Sequence, residues 1–235
     1  MRQVIEKMNM RDVAICYGMT ETSPVSTQTQ STDTLEQRVG TVGQVGPHLE
    51  IQIIDPQNGQ VAPRGEAGES CTRGYSVMAG YWNDPQKTSD AIDAEGWMHT
   101  GDIAVMDEEG YVQITGRIKD MVIRGGENIY PREIEEFLYT HPDVLDAQVV
   151  GVPDEKYGEE LMAWLRIKDG AAQPTAESIR EFCAGKIAHY KIPRYVTVID
   201  EFPMTVTGKI RKIDLRQQAT DLIHAPRLAS TDSHA

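Results

Sequence analysis

The chain has 235 residues, 40% of them hydrophobic and 25% charged, which is enough for one large domain or two small ones around a hydrophobic core. A formal net charge of -13 argues against a nucleic-acid-binding protein, because such proteins carry a basic face. No stretch approaches the roughly 20 apolar residues that cross a membrane, and residues 1–10 lack the apolar region of a signal peptide. We therefore expect a cytoplasmic protein without a transmembrane segment.

The first part of the chain predicts an isolated strand followed by a β-rich subdomain. Residues 2–9 favour a helix, and the apolar run Asp12–Tyr17 is typical of a strand buried in a parallel sheet. Such a strand cannot satisfy its backbone hydrogen bonds alone, so we expect it to belong to a larger sheet. Residues 40–116 read as short strands and turns, interrupted by a helix over Pro85–Ile92 with Asp84 as its N-cap. Strands are expected at Glu50–Asp55, Ile103–Met106 and Tyr111–Thr115.

The stretch Gly116–Glu135 marks a junction between two units. It contains several charged residues, the pair Gly125 and Gly126, which allows positive φ, and Pro131, which suits the first turn of a helix. Its charges would serve a hinge or an anionic ligand equally well, and by itself such a stretch is more often a plain turn. Beyond it the pattern predicts a compact α+β unit, with helices at Pro131–Thr140 and Thr175–Ala188 and strands at Val144–Val152, Leu161–Lys168 and Tyr195–Ile199. Residues 221–235 are predicted to form a disordered tail.

The cysteines and histidines show no metal-binding pattern. Cys16, Cys71 and Cys183 have neither metal-like nor disulfide-like spacing and are expected to be reduced, buried thiols. The six histidines form no HExxH array, so no zinc site is expected, and His99 is assigned a structural role. A group of basic residues late in the chain could meet a small anionic ligand. It comprises Lys186, Lys191, Arg194, Lys209, Arg211, Lys212 and Arg216.

The segment Tyr17–Glu21, with the sequence YGMTE, places an aromatic ring, a hydroxyl and a carboxylate at the end of a predicted strand. Open α/β sheets bind ligands at such strand ends. The ring of Tyr17 could stack on a planar base, the Thr20 hydroxyl could bond a phosphate oxygen, and Glu21 could hold Mg²⁺ through oxygen. The alternative is a capped turn with Tyr17 in the core.

Two further segments carry polar groups beside a glycine. In WMHTGD, Asp102 could accept two hydroxyl hydrogen bonds from a ribose, or it could make a local turn at the start of a strand. In PMTVTGKI, Lys209 follows a turn, and its ammonium could meet a carboxylate and a phosphate at once. That segment is not a phosphate-binding P-loop, because Pro203 and Ile210 stand where the motif needs Gly and Ser or Thr. A plain surface lysine is the alternative interpretation.

Taken together in this order, these segments resemble the later signature motifs of the ATP-dependent adenylate-forming (AMP-binding) superfamily. The stretches CYGMTETSPV, RGYSVMAGYW and PMTVTGKI are most similar to its fatty-acyl-CoA synthetase branch. The resemblance covers about residues 1–220 and implies a mixed α/β and α+β fold. Residues 1–116 would be the end of the large AMP-binding domain with its β-rich subdomain, and residues 117–220 the complete, small and mobile C-terminal lid domain.

The resemblance also implies roles for single residues in the first of these domains. The cofactor-binding turn of Tyr17 and Gly18 would place the Tyr17 ring against adenine. Thr20 would contact the phosphate of the adenylate, and Glu21 would bind Mg²⁺. The resemblance therefore assigns catalytic roles to Thr20 and Glu21.

Further roles follow by position around the junction and in the second domain. Asp102 and Arg117 would hold the ribose hydroxyls, and Lys119 matches the hinge position. Lys209 matches the catalytic lysine that bridges the carboxylate substrate and the α-phosphate. Gly126 lies where the family brings backbone against the pantetheine arm of CoA.

The implied reaction joins a fatty acid or another carboxylate to CoA. ATP would give an acyl-adenylate and pyrophosphate, and CoA would then form the thioester and release AMP. Loading of a carrier-protein thiol and a non-catalytic binding module built from the small domain are the alternatives. The family's Ser/Thr/Gly-rich phosphate loop and most of its acyl pocket have no counterpart here. We therefore expect a C-terminal fragment that is inactive alone or active only with an N-terminal half as its partner.

Overall fold

The computed structural model describes residues 2–10 and 12–224. It divides the chain into two compact units, the first ending at Lys119 and the second beginning at Asp120. Both units combine helices with strands, which confirms the mixed fold class that the sequence predicts.

The first unit consists of short helices and mostly antiparallel strands. Its helices are α1 (Arg2–Lys7), α2 (Leu35–Gly40) and α3 (Pro85–Ala91). Its strands are β1 (Cys16–Tyr17), β2 (Thr27–Gln28), β3 (Gln44–Val45), β4 (Leu49–Ile54), β5 (Ala67–Gly74), β6 (Met98–Met106) and β7 (Val112–Arg117). Helix α3 starts as predicted, because the Asp84 carboxylate accepts a hydrogen bond from the Lys87 amide and Pro85 occupies the first turn.

Strands β4, β5, β6 and β7 form an antiparallel sheet in that order, which confirms the predicted β-rich subdomain. Ile53, Ala104, Met106 and Val112 form the buried core of this sheet. The turn between β6 and β7 is fixed by Asp107, whose carboxylate accepts hydrogen bonds from the two backbone amides of Glu109 and Tyr111. Strand β6 begins at Met98, earlier than predicted, so the WMHTGD segment lies mostly within the sheet.

The prediction of a buried strand over Asp12–Tyr17 is wrong. Only Cys16 and Tyr17 form β1, which pairs antiparallel with β2, and Ala14 and Cys16 are exposed. Ile15 and Tyr17 are half-buried. Within the described residues β1 pairs with β2 at one edge, and exposure alternates along residues 12–17, so one face of the run is open to solvent.

The expectation of three buried thiols is correspondingly wrong for Cys16, whereas Cys71 and Cys183 are fully buried. Burial raises the pKa of the Cys71 thiol to about 12 and that of the Cys183 thiol to about 11. Neither buried thiol is therefore a ready nucleophile at neutral pH.

The second unit is built on one sheet with helices on both faces. Its helices are α4 (Pro131–Leu138), α5 (Ala176–Cys183) and α6 (Lys212–His224), and its strands are β8 (Val122–Arg124), β9 (Glu127–Ile129), β10 (Val144–Asp154), β11 (Gly158–Ile167) and β12 (Tyr195–Val198). Strand β11 is central: it pairs antiparallel with β10 and β8 and parallel with β12.

The alternation of side chains along β11 produces two separate cores. Leu161, Ala163 and Leu165 face the cluster that includes residues of α4 and α5, whereas Met162 and Trp164 face the cluster that includes residues of α6. Because helices cover both faces of β11, its central residues are all apolar and do not alternate with polar ones. The predicted α+β unit is thus present with a different helix on each face.

Several predicted boundaries need correction. Helix α4 ends at Leu138 and not at Thr140, and α5 ends at Cys183 and not at Ala188. Gly185, with φ of 72°, follows α5, and the Lys186 amide bonds back to the Cys183 carbonyl. The disordered tail predicted from residue 221 is wrong for residues 221–224, which belong to α6 because Ile223 packs against the core. Residues 225–235 lie outside the described residues.

Most of the predicted basic group is neutralised by carboxylates. Five of its members form ion pairs within the second unit: Lys191 with Glu133, Arg194 with Asp154, Arg211 with Asp214, Lys212 with Glu135 and Arg216 with Asp120. These side chains therefore serve mainly in ion pairs that stabilise the second unit, and they do not form a continuous anion-binding surface.

Candidate active site

The turn after β1 requires glycine at position 18. A Cβ on Gly18 would lie 1.9 Å from the Pro24 carbonyl oxygen, which is backbone and cannot yield by a side-chain rotation. The Tyr17 carbonyl also accepts a hydrogen bond from the Ser26 amide at 2.8 Å, which closes the loop. A 3₁₀ helix over Thr20–Thr22 follows and fixes the backbone that carries Thr20 and Glu21.

Tyr17, Asp102 and Arg117 meet in the first unit. The Tyr17 hydroxyl donates to Asp102 Oδ2 at 2.8 Å, and Arg117 Nε donates to Asp102 Oδ1 at 2.9 Å. Asp102 and Arg117 are direct partners across β6 and β7, so the sheet register alone places the opposite charges together. Burial, together with the neighbouring Asp102, raises the pKa of Tyr17 far above its usual value and keeps the phenol protonated.

A β-bulge presents the Asp102 carboxylate. The register between β5 and β6 shifts between Glu69 and Cys71, and Gly101 in the bulge has φ of 70°. The Thr100 hydroxyl donates to the Ser70 carbonyl at 2.7 Å and accepts from the Asp102 amide at 3.1 Å. Thr100 thus fixes the backbone from which Asp102 projects.

Glu21 is held by a residue that sequence reasoning missed. The Tyr81 hydroxyl donates to Glu21 Oε1 at 2.8 Å, and this hydrogen bond raises the pKa of Tyr81. The Met78 amide also donates to the Glu21 carbonyl at 2.8 Å. Tyr81 belongs to the RGYSVMAGYW stretch, so its position in a motif was the available signal.

The carboxylate of Glu21 suits a hard divalent cation. Glu21 is partly exposed, and its Oε1 oxygen already accepts one hydrogen bond, which leaves the second oxygen available to an ion. Mg²⁺ binds proteins through one or two carboxylates together with substrate phosphates and water. The Thr20 hydroxyl, on the neighbouring exposed residue, adds an oxygen on the same turn.

In the second unit, Gly125 and Gly126 form the two-residue connection between β8 and β9. Both have positive φ, 61° and 91°, as a tight hairpin of this kind requires. A Cβ on Gly126 would meet no atom within 4 Å, so this backbone is open to a ligand. At Gly125 a Cβ would lie 3.2 Å from the Tyr157 ring, which covers that side of the turn.

A depression of about 270 Å³ beside this hairpin was not predicted. Arg124, Arg180, Arg194 and His189 contribute basic groups to its wall, and the Tyr157 ring contributes an aromatic surface. Arg124 is fixed by a double hydrogen bond to the buried Glu160, with distances of 2.6 and 2.9 Å, and lies over the ring of Tyr157.

Lys209 is exposed on a tight turn of the second unit. The Lys209 amide bonds to Thr205 Oγ1 at 3.0 Å, the Thr205 amide bonds to the Lys209 carbonyl at 2.7 Å, and Gly208 adopts φ of 79°. The turn therefore holds the backbone of Lys209 while its ammonium reaches solvent. Lys119 is also exposed and is the last residue of the first unit.

The structure thus brings Tyr17, Asp102 and Arg117 into direct contact, and it places Gly18, Thr20 and Glu21 on the adjoining turn. Gly126 and Lys209 lie in the second unit, and Lys119 stands at the boundary. Among the helices of residues 2–10 and 12–224, none has the length and apolar composition required to cross a lipid bilayer.

Two family models match the chain. Residues 1–82 match "AMP-binding enzyme", and residues 133–209 match "AMP-binding enzyme C-terminal domain". Together the two matches cover more than half of the sequence and fall on the two units separately.

Whole-sequence comparison identifies acyl-CoA synthetases and ligases as relatives. YngI of Bacillus subtilis (strain 168), which carries the name of an acyl-CoA synthetase, is 55% identical over 224 residues, or 95% of this chain and 41% of YngI. The mitochondrial medium-chain acyl-CoA ligase ACSF2 of Bos taurus is 52% identical over 217 residues, or 92% of this chain and 35% of ACSF2. The chain therefore spans about two fifths or less of the length of these relatives.

Solved structures agree with the sequence comparison. ATP-bound MatB from Rhodopseudomonas palustris matches with a TM-score of 0.83 and 36% identity, over 89% of this chain and 41% of MatB. The o-succinylbenzoate CoA synthetase MenE from Bacillus subtilis, in complex with its acyl-adenylate intermediate, matches with a TM-score of 0.80 and 33% identity, over 94% of this chain and 43% of MenE. The motifs, the two family models and these relatives agree, and the chain belongs to the adenylate-forming (AMP-binding) superfamily.

Proposed function

We propose that this chain acts as part of an ATP-dependent acyl-CoA synthetase, which converts a fatty acid, ATP and CoA into acyl-CoA, AMP and pyrophosphate through an acyl-adenylate. The main support for this proposal is the pair of hydrogen bonds that Tyr17 and Arg117 donate to the Asp102 carboxylate. It combines an aromatic ring with a carboxylate that can accept ribose hydroxyls, which are the groups that an adenosine needs. The acyl-CoA synthetase and ligase names of the relatives support this choice of reaction.

Residues of the first unit bind and orient the nucleotide in this proposal. Tyr17 supplies the surface for adenine, and Asp102, oriented by Arg117, accepts the ribose hydroxyls. Thr20 donates a hydrogen bond to the phosphate. Glu21, oriented by Tyr81, holds Mg²⁺, which when bound offsets the charge of the phosphates.

Lys209 supplies positive charge where the carboxylate approaches the α-phosphate. Two anions must meet in this step, and a lysine ammonium offsets their repulsion most strongly as the pentavalent phosphorus forms. The tight turn between Thr205 and Lys209 supports the role, because it fixes the backbone while leaving the Lys209 side chain exposed. Lys119, the last residue of the first unit, is the proposed hinge.

CoA is assigned to the hairpin of Gly125 and Gly126 and to the depression beside it. The backbone at Gly126 has open space around it, as the narrow pantetheine arm requires. Each arginine of the depression is paired with a carboxylate but keeps further N–H groups that can donate to a phosphate, and the Tyr157 ring can meet a base. Mechanistically, CoA then attacks the acyl-adenylate through its thiolate, and AMP leaves.

Formation of the acyl-adenylate is tested by ATP–pyrophosphate exchange with fatty acids. The assay uses the protein encoded by the complete gene. Lys209→Ala is expected to lower exchange by about 100-fold or more, since removal of one transition-state donor typically has that effect. Asp102→Asn is expected to raise the KM for ATP by about 10-fold or more, because a hydrogen bond to a charged group contributes about 1.5–3 kcal/mol. Asp90→Asn, an exposed carboxylate on α3, is the matched control.

The acceptor thiol separates the proposal from carrier-protein loading. Formation of a thioester with CoA supports the proposed function, whereas transfer only to the phosphopantetheine of a carrier protein contradicts it. Normal exchange in the Lys209→Ala variant would overturn the assignment of that lysine. Absence of exchange with any carboxylate, in a folded protein that contains both halves, would favour a binding module.

A further inference from the structure

Three potential metal ligands converge between β5 and β6, and none of them belongs to the turn that carries Glu21. They are Glu69 and Cys71 on β5 and His99 on β6, and their ligand atoms all lie within 4.8 Å of one another. Cys71 and His99 are direct partners across the two strands. Glu69 lies two residues from Cys71 and therefore on the same face of β5.

Two of the three separations between ligand atoms are close to those of a coordination shell, and the third is no more than 4.8 Å. His99 Nδ1 lies 2.9 Å from Glu69 Oε2 and 3.7 Å from Cys71 Sγ. The other oxygen of Glu69 accepts a hydrogen bond from the Gly101 amide at 2.9 Å, so the carboxylate is fixed in place. Ligand atoms at 2.0–2.3 Å from a tetrahedral Zn²⁺ stand roughly 3–4 Å apart.

Asp93 lies next to the second ring nitrogen of His99, where a carboxylate can orient a metal-binding histidine without itself binding the metal. Asp93 Oδ2 is 3.7 Å from His99 Nε2, the ring nitrogen that points away from Cys71. Asp93 Oδ1 is held by the backbone amides of Glu95 and Trp97 at 3.0 and 2.8 Å. A carboxylate at the distal nitrogen of a metal-binding histidine selects the ring tautomer and orients the ring.

We propose that Glu69, Cys71 and His99 bind one Zn²⁺ ion, or a transition-metal dication of similar preference, with Asp93 orienting His99. Sulfur, nitrogen and oxygen in one site suit Zn²⁺ and not Mg²⁺ or Ca²⁺, which prefer oxygen ligands alone. Glu69 and Cys71 are buried, whereas the His99 side chain is 32% exposed. Solvent therefore reaches the site past the imidazole, and a water molecule completes the tetrahedron.

The charges balance in the bound state. The thiol proton of Cys71 passes to solvent as the sulfur binds the ion. A proton on His99 Nδ1 passes to solvent from an imidazolium or moves to Nε2 in a neutral ring, so the bound imidazole is neutral. The thiolate and the Glu69 carboxylate then carry two negative charges against the two positive charges of the metal. Sequence spacing gave no sign of this site, because the ligands come from two strands whose pairing is set by the fold.

Titration of the purified, reduced and chelator-treated chain with Co²⁺ tests the proposal. The expected result is one Co²⁺ per chain with a thiolate-to-cobalt charge-transfer band, which Zn²⁺ abolishes by displacement. X-ray absorption of the Zn²⁺ form should show one sulfur ligand at about 2.3 Å and the remaining nitrogen and oxygen ligands at about 2.0–2.1 Å. Binding of less than one ion per chain, or a shell without sulfur, would overturn the proposal.

Variants identify the ligands. Cys71→Ser should remove the charge-transfer band, and Asp93→Asn should weaken Zn²⁺ binding by about 10-fold, as outer-ligand changes do. Cys16→Ser is the matched control, because its thiol is exposed on β1 and its removal should leave the band unchanged. A band lost in Cys16→Ser but kept in Cys71→Ser refutes the site. If circular dichroism shows that Cys71→Ser is unfolded, the X-ray absorption result on the unmodified chain decides.

Discussion

The Lys212→Met variant is expected to lose about 3 kcal/mol of stability in the second unit, because Glu135 then stays buried without a counter-ion. Lys212 Nζ lies 2.6 Å from Glu135 Oε1, and the two side chains are only 17% and 9% exposed. The same carboxylate oxygen accepts a hydrogen bond from the Val149 amide at 2.8 Å, which remains in the variant. This residual hydrogen bond places the estimate at the lower end of the roughly 3–5 kcal/mol that broken buried pairs cost.

The two partners of this pair should respond unequally. Glu135→Gln keeps an acceptor for the Val149 amide, and the flexible stem of Lys212 can carry its ammonium to water. The cost should therefore be about 1–2 kcal/mol. The double variant should cost at least about 1 kcal/mol less than the sum of the two single variants, since each removes the same interaction.

Amide hydrogen exchange measures this effect within one unit, which matters because a chain of two units need not unfold in one step. About 3 kcal/mol corresponds to roughly 100-fold faster exchange in the core of β10. Arg180→Ala is the control, since its pair with Glu177 is 49% and 68% exposed and should contribute less than about 0.5 kcal/mol. Exchange in Lys212→Met close to that of the unmodified chain, or additive costs in the cycle, would refute the reasoning.

Three further outcomes are expected. Gly18→Ala should weaken AMP binding by about 10-fold or more in calorimetry, because its Cβ would lie 1.9 Å from the Pro24 carbonyl oxygen and must shift the turn; unchanged affinity would contradict this. The pKa of Tyr17 is raised, chiefly by burial, so its contribution to stability should be complete below about pH 10 and fall as pH rises further, and unfolding curves should show a shallower fall in the Tyr17→Phe variant. Lys209→Arg should restore little of the exchange activity lost in Lys209→Ala, since a planar guanidinium does not replace a compact ammonium; full recovery would show that charge alone suffices.

Local chemistry made part of the fold predictable. Asp84 and Pro85 start α3 as the sequence indicates, because an N-cap acceptor and a preset φ act within a single turn. The same holds for the hairpin glycines, Gly125 and Gly126, whose positive φ values are a property of the backbone at those two positions. Burial was harder to predict, and Cys16 shows why: its apolar run fits a buried strand, but whether neighbours cover it depends on distant segments.

The residues of the candidate site that lie within the sequence motifs could be predicted. The order of YGMTE, HTGD and PMTVTGKI along the chain indicated the family, and the comparisons confirmed it. The support around these residues was not predictable. Tyr81 holds Glu21 across 60 positions of sequence, and nothing in the spacing of the two residues indicates that they meet.

The sequence by itself determined which residues carry polar and aromatic groups beside glycines, and those local patterns were sufficient to identify the superfamily. Only the tertiary structure decided which of them meet. Tyr17 and Asp102 are 85 residues apart and become hydrogen-bonded through the packing of the first unit, and Lys212 reaches Glu135 across 77 residues. Cys71 and His99 face each other because of a strand register that a nearby bulge interrupts. The physical reason is that backbone torsions and caps depend on neighbouring residues, whereas register, burial and ion pairing depend on long-range packing.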